Sequence, residues 1–185
     1  VSDVIGVPAS TLATLRTEIR AASWFAALGE PLTGGDCTDA GAYAAALGLA
    51  RPTIGYAKDW PDAERLLKSH DWSSQLWDRE EALRRDLLQR AEARYPERAL
   101  WTALTDLTTE AGDLVHGKAA TAASRMGNAA KASIHVAAGA ASQAVYQLAV
   151  ARLAGEAASP FESKFRLFAA GRWPLGIVGS RLILF

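Results

Sequence analysis

Between Asp113 and Glu156 the chain runs for 42 residues without an acid, where average composition would supply about four or five. Its apolar positions recur at helical spacing and most of them are Ala, so one long helix is predicted from about Lys118 to Gly155, broken near Gly127 or Gly139. A helix with so small a set of apolar side chains fits only where neighbouring helices approach closely, which makes it the expected centre of the fold. The cations Lys118, Arg125, Lys131, His135 and Arg152 on it need an anion from outside or the acidic half of the same chain. Residues 1–113 carry 18 acids against 12 Lys and Arg, while residues 114–185 carry 2 acids against 8. The expected partner is internal: the acidic helix that ends at Asp113.

The other segments are helical too. Ser10 is a candidate cap for a helix carrying Leu12, Leu15, Ile19, Ala22 and Ala26, closed by Gly29 and Pro31. Gly34-Gly35 is expected in a loop, with Asp39 opening a short helix that Arg51-Pro52 closes. Thr53 to His70 is predicted irregular, apart from a short turn of helix capped by Asp59 ahead of Trp60-Pro61. A long helix to Tyr95 begins at Asp71 or Ser73. It turns Trp72, Leu76, Leu83, Leu87 and Ala91 to the core and sets the pairs Glu80/Arg84, Glu81/Arg85 and Asp86/Arg90 on its wet side. After Pro96 a helix carrying Leu100, Leu104, Leu107, Ala111 and Leu114 is expected to end at Gly117, and Pro160 opens a last short helix. Gly179-Ser180 between two apolar runs is the pattern of a two-residue hairpin.

The expected fold is therefore mainly α. It is a single-domain helical bundle, residues 1–185, of about five or six helices with a small C-terminal β-hairpin or extended apolar tail at 173–185. A lone hairpin is marginal in water, and a helical bundle has no sheet to receive it. Trp173–Phe185 is thus expected to contribute to a contact with a second copy, giving a homo-oligomer. Non-catalytic assembly or partner binding is the first functional expectation.

A chain of 185 residues buries roughly 70% of its extended surface and needs no metal or disulfide for stability. One cysteine, Cys37, leaves no intramolecular disulfide and points to a reducing, cytoplasmic setting. Val1 to Pro8 lacks a basic segment followed by an apolar core, so no secretory signal is expected, and a start on Val1 is what removal of an upstream piece would leave. Residues 132–151 are interrupted by His135, Ser142, Gln143 and Gln147, so no membrane span is expected. Nucleic acid is not expected either, because the bases are spread along a helix and tail rather than clustered.

Several motif lookalikes fail on chemistry. Gly112 to Ala119 nearly spells a phosphate-binding loop, but Ala119 has no hydroxyl for magnesium and the segment joins helices rather than following a strand. His70-Asp71 has no second histidine upstream, and Asp71 is better read as a helix cap. Zinc chemistry finds no ligand spacing in one Cys and three separated His. Cys37 lies between Asp36 and Asp39, which disfavour a thiolate. Of six tryptophans most are expected in the core, with Trp77 and Trp173 as possible interface anchors.

One constellation remains. At ~100° per residue, Ser124, Asn128, Lys131, His135, Gly139, Ser142 and Tyr146 share an arc of roughly 80° on the long helix. Hydroxyls, an amide, an imidazole and a phenol suit a ligand cleft as well as a solvated face. Asn128, Lys131, His135, Ser142 and Tyr146 are the candidate ligand-binding residues, for an anionic small molecule, with His135 as the candidate catalytic group near neutral pH. On the preceding helix Asp106, Glu110 and Asp113 fall at i, i+4 and i+7, a candidate site for a divalent cation such as magnesium. That site is the alternative to a protein without any cofactor.

Overall fold

The computed structural model describes residues 6–127 and 130–185. In chain order the elements are α1 (Ala9–Ala21), α2 (Gly34–Ala46), β1 (Thr53–Tyr56), α3 (Trp60–Leu67), β2 (Trp72–Ser73), α4 (Gln75–Glu92), α5 (Glu97–Arg125), α6 (Lys131–Leu153), α7 (Pro160–Ala169), β3 (Pro174–Val178) and β4 (Arg181–Leu184). The chain is mainly helical, with seven helices among the described residues where five or six were expected. The addition is α3, whose Asp59 cap and first-turn proline extend the expected single turn to Leu67.

α5 and α6 pack against each other in the most extensive helix contact of the fold. Ala111, Ala119, Ala122 and Ala123 on α5 are buried, as are Ala137, Ala138, Ala141 and Ala144 on α6. Small side chains on both sides let the axes approach, so the expected tight packing of the Ala-rich helix holds. The C-terminal part of α6 is buried on every side from Gln147 to Ala151, as befits a central helix. Gly127, at φ 71°, closes α5 before α6 begins. Gly117 does not end α5, which runs through it to Arg125. Intact backbone hydrogen bonding along α5 outweighs the roughly 1 kcal/mol that a mid-helix Gly costs.

The hairpin is present, but its setting differs from the expectation. Gly179 takes the first turn position at φ 61°, and β3 pairs antiparallel with β4. Both then join a four-stranded mixed sheet in the order β1-β4-β3-β2. Segment 53–56, read as irregular, is a strand parallel to β4, from Thr53 opposite Arg181 to Tyr56 opposite Leu184. Trp72 and Ser73 pair antiparallel with Val178 and Ile177. Four-residue and two-residue strands are too short to show a period-2 pattern.

The sheet separates two cores. Leu175, Val178, Ile183 and Phe185 face the large cluster of α1, α5, α6 and α7, while Ile177, Leu182 and Leu184 pack with Tyr43, Ala44 and Leu47 of α2. Residues 173–178 and 182–185 are thus buried by their own chain, only the turn at 179–181 being exposed, and Trp173 is a core residue. The reason for placing a second copy on this hairpin falls away.

α2 begins at Gly34, ahead of the expected Asp39, because Thr33 and Asp36 form a reciprocal capping box. The Thr33 hydroxyl accepts from the Asp36 amide at 3.1 Å and the Asp36 carboxylate accepts from the Thr33 amide at 2.8 Å. Asp36 also accepts from Arg172, whose side chain is almost wholly buried. Burial raises the Asp36 carboxyl, but the Thr33 amide and hydroxyl and the Arg172 guanidinium outweigh it and hold the group below its ordinary value of 3.8. A folded pKa below the unfolded one gives stability that is present above the unfolded value and lost as pH falls through the folded value. Urea midpoints are therefore expected to hold at neutral pH and to fall below about pH 4, with a shallower acid fall in Asp36→Asn. An equal fall in both proteins would mean that other carboxylates set the acid limb.

Candidate functional site

The polar arc on α6 is divided between different neighbours. His135 is exposed and lies against His116 of α5, ring centres 5.2 Å apart. Lys131 is exposed, and so is Ser124, which belongs to α5 rather than to α6. Ser142 is half-buried toward α5, its hydroxyl close to Gly112. Tyr146 is half-buried under the Arg84 guanidinium of α4, 5.9 Å from its ring centre. Asn128 lies outside the described residues. Among the described residues the arc is divided, α4 covering Tyr146 while α5 meets His135 and Ser142.

The acidic stripe on α5 does not assemble as a cation site. Glu110 accepts from Arg16 at 2.9 Å and from Arg20, both on α1. Hydrogen bonds from these two guanidinium groups hold it below the ordinary carboxylate range. Asp106 and Asp113 are exposed. Among the described residues no three His, Cys, Asp or Glu side chains come together to hold an ion. The physical reason is that the partner helix presents arginines where a cation would sit.

A different site lies on the α4 side of α6. Glu80, expected on the wet face of α4 and paired with Arg84, is buried. Arg84 instead bonds Glu81 at 2.8 and 2.6 Å. Lys164 of α7 donates to both Glu80 oxygens, at 2.6 and 2.9 Å, and to the Gln147 side-chain oxygen at 2.9 Å. All three protons of the ammonium are thereby used. Tyr43 donates to Glu80 at 2.5 Å. Burial, and then the Glu80 carboxylate, push the Tyr43 phenol well above its usual range, so it keeps its proton and its role as donor. The Gln147 amide reaches Glu80 only at 3.5 Å, which makes it the loosest link in the network.

This network is the floor of a cleft of about 430 Å³. Trp77 of α4 and Val136 of α6 stand at its rim, 53% and 60% exposed, and Leu67, Phe168, Trp173 and Leu175 build its walls. A second hollow of about 270 Å³ shares Leu67, Val136, Trp173 and Leu175 and continues toward Trp60, Ala63 and Phe185. The two form one groove between α3 and α6. Another hollow, of about 400 Å³ near Ser10 and Thr14, is a shallow surface depression whose cation, Arg152, is taken by Glu18 and Glu162.

Sequence reasoning missed Glu80, Lys164 and Gln147, although a signal existed for the two charges. Glu80 sits four residues after Leu76 and seven before Leu87, on the apolar stripe itself. Lys164 falls three residues after Phe161 and four before Phe168. Opposite charges on two core-facing stripes mark a buried pair.

Among the described residues no helix is long and apolar enough to cross a membrane. No protein-family model, no curated protein and no solved structure matches this chain, so its reading rests on the chemistry of its own residues.

Proposed function

We propose that the protein is a non-catalytic binding protein for an amphipathic small molecule with an extended apolar body and a neutral polar end. The observation that carries this reading is the apolar-walled groove, open at Trp77 and Val136, over a floor of paired and buried polar groups. Sites of this volume, mostly apolar with a few fixed polar groups, are the usual form of small-molecule pockets.

The floor favours a neutral head over an anion. Lys164 is neutralised by Glu80 and has no free proton to donate. A ligand carbonyl or hydroxyl can instead take the loosely held Gln147 amide, or Gln143 at the rim. The earlier expectation of an anionic ligand rested on Lys131 and His135, which do not line this cleft.

Nile red, a neutral amphipathic dye, provides the test. Its emission is expected to rise on saturable binding to the wild-type chain, and Trp77→Ala and Val136→Glu are expected to abolish most of that rise. A long-chain alcohol should displace the dye better than the carboxylate of equal length. Emission unchanged by both substitutions would overturn the groove. Preferred displacement by the carboxylate would overturn the neutral head.

Assembly is the second reading, because Trp77 and Val136 are large apolar groups left half or more exposed. A dimer by light scattering that Val136→Glu converts to monomer would favour it.

A further inference from the structure

We propose that His116 and His135 form a two-histidine binding site for a transition-metal cation, zinc in the first instance. The two residues are 19 positions apart in sequence, and the α5–α6 hairpin brings them together on an exposed face. Their ring centres lie 5.2 Å apart with planes at 45°. An ion ~2.0 Å from one nitrogen of each imidazole, at a tetrahedral angle, places the ring centres about 5 Å apart. The separation of the rings is thus the one that a single shared ion requires.

The surroundings neither block nor close the site. Asp113 precedes His116 by one helical turn and Lys131 precedes His135 by one turn, so one charge of each sign flanks the pair. Among the described residues no third His, Cys, Asp or Glu completes a closed cluster. Water would complete the coordination of a bound ion, as in an open zinc site. Imidazole ligands select zinc, copper or nickel and are poor partners for magnesium, which prefers oxygen. Bound there, the ion would cross-link α5 to α6 and stabilise the hairpin by mass action.

The proposal is independent of the groove, since neither histidine lines it. Calorimetric titration of the full chain with zinc chloride tests it, alongside His116→Ala, His135→Ala and, as a control, His70→Ala. One zinc per chain is expected, with affinity reduced about tenfold or more in each of the first two variants and unchanged in the third. Both substituted side chains are exposed, so circular dichroism melts without zinc should match the wild type. Added zinc should raise the melting temperature of the wild type and of His70→Ala but not of the other two variants, and magnesium should give no heat. Absence of zinc heat in the wild type would overturn the proposal. So would zinc affinity that survives either single substitution, because a site needing only one histidine is not a shared one.

Discussion

Lys164→Met is expected to destabilise the fold by about 3–5 kcal/mol, because it removes one partner of a buried ion pair and strands the other. The volume of the side chain is nearly kept, so a cavity contributes little. What is lost is the cation that bonds Glu80, whose carboxylate stays between Tyr43 and Gln147 in the interior. Urea unfolding reads the effect directly. The double variant Glu80→Gln/Lys164→Met retains an acceptor for the Tyr43 hydroxyl and buries no charge, so it should recover about half or more of the loss. A single variant within about 1 kcal/mol of the wild type would show that the pair is not a buried charge pair in solution.

Arg172→Ala is expected to cost a similar amount, about 3–5 kcal/mol, for a different reason. This guanidinium makes hydrogen bonds through four N–H donors, and a further approach to Asp36 completes an ion pair. It bonds Ala27 and Glu30 carbonyls at 2.6 and 2.7 Å, Pro31 at 2.7 Å, and Asp36 through two nitrogens at 3.1 and 3.0 Å. One side chain thereby fastens the α1–α2 loop and the α2 cap to the strand that follows α7. Truncation takes the guanidinium away from three loop carbonyls and leaves the buried Asp36 carboxylate without its cation, held only by the Thr33 cap. Arg172→Lys keeps the charge but has only three donors and no planar fork, so it should still lose about 2 kcal/mol or more. Full recovery by Lys would show that charge, not geometry, holds the loop.

Helix content and several boundaries were readable because they depend on neighbouring residues. Pro61 and Pro160 mark helix starts, Gly179-Ser180 marks the hairpin turn, and Gly127 is one of the two glycines at which the Ala-rich helix was expected to break, although its expected start after Gly117 was not found. Such signals act within a few residues, where sequence distance and spatial distance agree. The β1 strand was not readable. Four residues cannot display a pattern, and their hydrogen-bond partners lie at 181–184. The division of the polar arc was unreadable for a related reason. Periodicity shows that Tyr146 and His135 share one side of a helix, but not that α4 covers the first and α5 meets the second.

Glu80 shows the limit most clearly. Its i,i+4 spacing to Arg84 suggested a surface pair, while its equally good spacing to Leu76 and Leu87 put it on the core stripe. Both readings are local, and only the position of α7 selects between them. Lys164 arrives from 84 residues away and draws Glu80 inside.

The reversal of charge along the chain follows the same division. By itself the sequence determined that the second half carries an excess of cations, that its long Ala-rich segment is helical, and that the anions most available to it lie in the first half. It did not determine which anions. The acidic end of α5 takes its partners from α1, through Arg16 and Arg20. The cations of the second half reach elsewhere, Arg152 to Glu18, Lys164 to Glu80, Arg166 to Asp39 and Arg172 to Asp36. Composition sets how many charges must be balanced. The pairing itself is a matter of a few ångströms between elements far apart in the chain, and only the packing of α4, α6 and α7 decided it.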